Sequence, residues 1–111
     1  MREPSHFEVL WAPLALDDLD RIIEFVADSS MDQARKLLAL MKEKSSGLST
    51  FPTRARLVPE LKAIGLEIYR ELLIDPYRMI FRIRRTRVHV LGVFDSRRDL
   101  ADVLFERLGR L

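Results

Sequence analysis

With 111 residues, the chain has room for one domain, 1–111, and not for a second core. Apolar residues make up 48% of it and cysteine is missing, which describes a folded globule and excludes disulfides, thiolate nucleophiles and cysteine-ligated zinc. No apolar run approaches the roughly 18 residues of a membrane span, and the stretch Met1–Trp11 has no long apolar segment of the signal-peptide kind. A cytoplasmic protein with no membrane partner is the expectation.

The net charge of +2 conceals an uneven distribution. Residues 1–53 hold 6 Lys/Arg against 9 Asp/Glu, whereas residues 54–98 hold 11 against 5. A clustered basic region is the electrostatic footprint of a polyanion or an acidic partner, or else a solvated arginine face that serves solubility.

Phe7–Trp11 is a short β-type run in which Phe7, Val9 and Trp11 share one face. It is too short to stand alone and is expected to add to later strands. From about Leu14 to Asp28 the period becomes helical, with Leu19, Ile22, Ile23 and Val26 on the apolar side. Pro13 suits the first turn, and Asp17, Asp18 and Asp20 are read as polar residues near the positive end of the helix. Ser29 or Ser30 caps a second helix, from about Asp32 to Leu48, with Ala34, Leu37, Leu38, Met41, Ser45 and Leu48 facing inward. Phe51-Pro52 ends it. The two helices make an αα-hairpin that must bury its apolar stripe against another layer.

Thr53–Gly65, marked by Pro59 and Gly65, reads as a connecting loop. Three strands then cluster at Leu72–Ile74, Met79–Ile83 and Val88–Phe94, separated by Asp75-Pro76 and by Arg85-Thr86. Connections this short require antiparallel neighbours. Ser96-Arg97-Arg98-Asp99 has capping-box spacing, with Ser96 as N-cap, ahead of a last helix carrying Leu100, Val103, Leu104 and Leu108 and stopped by Gly109. The order β-α-α-β-β-β-α makes an α+β fold: an antiparallel sheet backed by an N-terminal αα-hairpin, with a C-terminal helix.

Tyr69-Arg70-Glu71-Leu72, then Tyr77-Arg78-Met79-Ile80-Phe81-Arg82, then Val88-His89-Val90-Leu91 and Arg97-Arg98-Asp99 resemble the RelE/ParE toxin superfamily. Its members are the toxin halves of bacterial type II toxin–antitoxin modules, and some are known as plasmid stabilisation proteins. The resemblance covers nearly the whole chain. It implies a cognate antitoxin that wraps the toxin as a hetero-oligomer and is the only route to promoter DNA. It also implies one of two targets: DNA gyrase for ParE-like members, or mRNA on the ribosome, cut by RelE-like mRNA interferases.

Cutting RNA through its 2′-hydroxyl requires a proton acceptor and a phosphate grip. By the resemblance Arg70, Arg78 and Arg97 fill basic positions of a nuclease. Leu72 and Leu104, however, stand where one nuclease branch has a second basic residue and a tyrosine. Arginine stays protonated and is a poor base. His89, mid-strand, reads as a sheet-face histidine, and Glu67, Glu71 and Asp75 read as ion-pair partners rather than bases. Neither metal-ligand spacing nor a glycine-rich phosphate loop occurs, so no metal or cofactor is expected. The resulting expectation is a ParE-like toxin that binds gyrase rather than an enzyme, with Arg70, Arg78, Arg97 and Arg98 facing the target or the antitoxin. The αα-hairpin and the sheet edge are the expected antitoxin surface. The alternatives are the nuclease and a toxin-like interaction module without activity.

Overall fold

The computed structural model describes residues 6–110. Residues 1–5 of the N-terminal stretch read above as lacking a long apolar segment lie outside them. The elements are β1 (Glu8–Trp11), α1 (Pro13–Ser29), α2 (Met31–Ser46), β2 (Arg56–Leu57), α3 (Pro59–Lys62), β3 (Tyr69–Ile74), β4 (Tyr77–Arg84), β5 (Arg87–Asp95) and α4 (Leu100–Gly109). Two single 3-10 turns, Gly47–Ser49 and Pro52–Arg54, follow α2.

The strands form one five-stranded sheet in the order β1-β5-β4-β3-β2. β3, β4 and β5 are the expected antiparallel meander. β1 joins β5 in parallel, Glu8 against Arg87 and Trp11 against Val90, so the sheet is mixed rather than wholly antiparallel. The long α1–α2 excursion makes that pairing possible, since a parallel return needs a crossover.

Alternation along the strands gives the sheet two apolar faces. Met79, Phe81, Val88, Val90 and Val93 pack with Phe7, Ala15, Leu19 and Met41 beneath the αα-hairpin. Ile80 and Phe94 pack on the other side with Val58, Leu61, Leu100 and Leu104, beneath α3 and α4. Pro13 opens α1, where its missing N–H removes no bond. Ser30 caps α2, its Oγ accepting from the Gln33 N–H at 3.2 Å.

Three expectations are corrected. The stretch 53–65 is not a plain loop: it contains β2, which pairs with Glu71 and Arg70 of β3, and the single-turn α3. Elements of two and four residues are too short to show a period. Ser96 does not cap α4. Asp99 occupies the cap position without a side-chain bond, and the Ser96 N–H donates to the Pro76 carbonyl at 2.8 Å, which ties the strand end down first. Asp17 and Asp18 do not serve the positive end of α1, because the helix starts at Pro13 and its first turn holds no acid. Asp18 is instead buried.

The reason lies at a bulge in β5. Ile80 pairs with Gly92 but Phe81 with Val90, which leaves Leu91 unpaired. β1 has ended by this point, so the outer edge of β5 is open. Asp18 Oδ2 covers it by accepting from the Val93 N–H at 3.0 Å. Arg107 reaches in from α4 to the same carboxylate, Nη1 and Nη2 donating at 2.7 and 2.8 Å, while Nη1 also donates to the Leu91 carbonyl at 3.1 Å. This ion pair joins the two helical layers around the edge of the sheet, and it holds the Arg107 guanidinium more strongly protonated than usual.

Candidate target-binding site

Arg78 and Arg70 lie on opposite faces of the sheet. Arg78 pairs with Leu73 and Phe94, on the α4 face, whereas Arg70 pairs with Phe81, on the hairpin face. Arg70 Nη1 donates to the carbonyls of Ala55 at 2.7 Å and Thr53 at 3.1 Å, so this side chain clamps the segment that leads into β2.

Arg78 is almost fully buried. Its Nε donates to Glu71 Oε1, and its Nη1 and Nη2 donate to the two oxygens of Glu60, each at 2.7 Å. Glu71, fully enclosed, also accepts from Arg56 Nε at 2.6 Å. The four side chains alternate in sign, Arg56–Glu71–Arg78–Glu60, and hold α3 and β2 onto the meander. Glu60 is kept below the usual carboxylate range chiefly by its bond to Arg78, and the Arg78 guanidinium is held more strongly protonated by Glu60 and Glu71 against the opposing effect of burial.

Arg97 and Arg98 occupy the turn after β5. Arg97 is largely exposed and lies back on Asp95, Nη2 to Oδ2 at 2.6 Å and Nε to Oδ1 at 2.9 Å. The Arg97 side-chain and backbone N–H bonds lower the Asp95 carboxyl to about 2. Arg98 forms no ion pair among the described residues. The two arginines border a hollow of about 440 Å³ whose other walls include Arg21, Ile22, Phe25 and Tyr77. Phe25 is 73% exposed, a large apolar ring beside guanidinium groups. Tyr77 also borders a neighbouring hollow of about 300 Å³ with Leu73, Pro76 and Arg78. Burial, more than the nearby Asp95 charge, pushes the Tyr77 phenol up from its usual range. The structure therefore brings Arg78, Arg97 and Arg98 to one end of the sheet around Tyr77, and sets Arg70 apart.

Among the described residues no group of acids and histidines is placed to hold a metal, and no helix is long and apolar enough to cross a membrane.

The sequence matches the family model described as the ParE toxin of the type II toxin–antitoxin system, parDE, over residues 9–100. The chain belongs to the ParE toxin family. The match runs from β1 to the first residue of α4 and so includes Arg70, Arg78, Arg97 and Arg98. Among solved structures, this ParE-family chain is similar to the chromosomal ParDE toxin–antitoxin system from P. aeruginosa: 19% identity, TM-score 0.67, covering 83% of this chain and 98% of that one. It is also similar to the RelBE2 toxin–antitoxin complex from Mycobacterium tuberculosis: 21% identity, TM-score 0.62, covering 86% and 97%. Comparison with curated proteins found no match. At these identities the structural likenesses speak for the α+β fold. On that fold the ParE-family chain adds residues that sequence reasoning missed at this end of the sheet, Phe25 and Arg21. Their exposure depends on where α1 lies against the meander, which no local pattern encodes.

Proposed function

We propose that this toxin acts by binding DNA gyrase rather than by cutting RNA, through the surface formed by Arg97, Arg98, Arg21, Tyr77 and Phe25. The observation that carries the reading is the state of Arg78. A nuclease would need its guanidinium for phosphate, but Nε, Nη1 and Nη2 are all engaged by Glu71 and Glu60. Arg70 is likewise committed to backbone carbonyls. Two of the three arginines that an RNA-cutting site would use hold the fold together instead. Exposed cations beside an exposed aromatic ring suit a protein surface carrying acidic residues. The family match supports a cognate antitoxin as the partner of this toxin; in this reading the antitoxin neutralises the toxin in the cytoplasm and is the pair's route to promoter DNA.

The test is direct. Purified toxin should block supercoiling by DNA gyrase while leaving mRNA intact on translating ribosomes, and Arg97→Glu with Arg98→Glu should relieve the block. Ribosome-dependent cleavage with unhindered supercoiling would replace this reading with the RelE-like one. Indifference in both assays would leave an interaction module.

A further inference from the structure

The other end of the sheet carries a second basic surface, which the gyrase reading does not use. On the α4 face, Tyr69 stands opposite Arg82, and Arg82 opposite His89. Directly paired residues project from one face with Cβ atoms about 4.5–5.5 Å apart. A phenol, a guanidinium and an imidazole therefore form one row across β3, β4 and β5. The row lines a hollow of about 310 Å³ whose apolar walls include Leu91 and Leu108. Arg84 follows on the same face, roughly 6.8 Å along the strand from Arg82. It stands opposite Arg87, and the pair borders an adjoining hollow with Arg85 and His89.

One feature of this region costs stability. Like charges placed directly across a ladder repel, and Arg84–Arg87 is such a pair. Arg85, with φ 55, makes the two-residue turn that joins β4 to β5, and so holds a further guanidinium at the same end of the sheet. Among the described residues Arg82, Arg84 and Arg85 form no ion pair, and the partner of Arg87 is the exposed Glu8 at 3.5 Å. An external polyanion would offset that repulsion.

We propose that this face binds single-stranded nucleic acid, with bases against Tyr69 and His89 and phosphates on Arg82, Arg84 and Arg87. An aromatic platform beside a track of cations is the chemistry single strands use, because every base has a π-face and every linkage a charge. An acidic peptide would satisfy the arginines but make no use of the His89 imidazole or of the part of the Tyr69 ring left uncovered by its packing on the α4-side core. A duplex keeps its bases stacked and offers nothing to the hollow.

Fluorescence anisotropy with a labelled oligothymidylate of roughly 12 nucleotides tests it. Binding should weaken as salt rises, the corresponding duplex should bind less tightly, and Tyr69→Leu should weaken the single strand about tenfold. Arg84→Glu, at an exposed position that folding does not depend on, should weaken it at least as much and flatten the log–log salt slope by about 0.7 for each phosphate no longer neutralised. Lys36→Ala, on the outer side of α2, should change nothing. The proposal is overturned by no binding at about 100 µM protein in low salt, the weak end of nonspecific affinity. It is equally overturned if Arg84→Glu has no more effect than Lys36→Ala, or if a short polyglutamate displaces the strand while Tyr69→Leu leaves affinity unchanged.

Discussion

Replacing Arg78 with Met keeps most of the aliphatic stem but removes three charge-assisted hydrogen bonds, all at 2.7 Å. Glu60 is partly exposed and regains water. Glu71 is fully enclosed and does not; its Oε1 loses the Arg78 partner while Oε2 keeps Arg56. Breaking a buried ion pair on one side costs about 3–5 kcal/mol, because the remaining charge stays desolvated. Arg56 still holds one oxygen, which places the expected loss at the lower end, about 3 kcal/mol. For a chain of this size that corresponds to a fall of roughly 10–15 °C in the melting midpoint. Thermal unfolding followed by far-ultraviolet circular dichroism reads it directly. Adding Glu71→Gln to Arg78→Met should recover part of the loss, since a neutral amide replaces the stranded carboxylate. A single variant melting within about 2 °C of the parent, well under 1 kcal/mol, would refute the structural role of Arg78 and restore it as a free phosphate ligand.

The remaining predictions concern the bulge and acid stability. Gly92→Ala should destabilise by about 1–3 kcal/mol in urea unfolding, since its Cβ would meet the Phe94 ring at 2.5 Å and Arg107 Nη1 at 2.9 Å. That ring also lies under Arg107, 5.0 Å from the guanidinium carbon, so neither neighbour moves alone. Glu60 and Asp95 both titrate below their ordinary values of 4.5 and 3.8, Asp95 at about 2. A depressed carboxyl stabilises fully above its unfolded value and loses that contribution as pH falls through the folded one. Stability should therefore hold from neutrality to about pH 5 and decline below it. Glu60→Gln should lower the neutral plateau and flatten the acid limb, as followed by unfolding midpoints across that range.

The αα-hairpin, the meander and the C-terminal helix were legible because each repeats an apolar period over several turns or alternations. What stayed hidden depends on partners distant in the chain. Asp18 reads as one more polar residue of an acidic helix start, and only the exposed edge of β5 and the arrival of Arg107 make it a buried hinge-pin. Glu71 sits within an apolar strand, and its burial depends on Arg56 and Arg78 enclosing it together. The RelE/ParE-like arginine pattern singled out Arg78. It did not reveal that the guanidinium is neutralised from within, because Glu60 lies on a single turn of helix too short to announce itself. The Tyr69–Arg82–His89 row was equally invisible as a unit: strand alternation fixes each residue's face, while register alone makes them neighbours.

The parallel seam between β1 and β5 imposes an order on synthesis. β1 is the first strand made, yet its one sheet neighbour is the last. While the chain is being extended, the hairpin helices and β1 precede their floor, which begins with Ile74, Met79 and Phe81 of β3 and β4 and is complete only when Val88, Val90 and Val93 of β5 arrive. Contacts this far apart in sequence close slowly. A newborn molecule thus passes through an unclosed helical clasp, open to any chain nearby with a matching greasy stripe before the finished toxin forms.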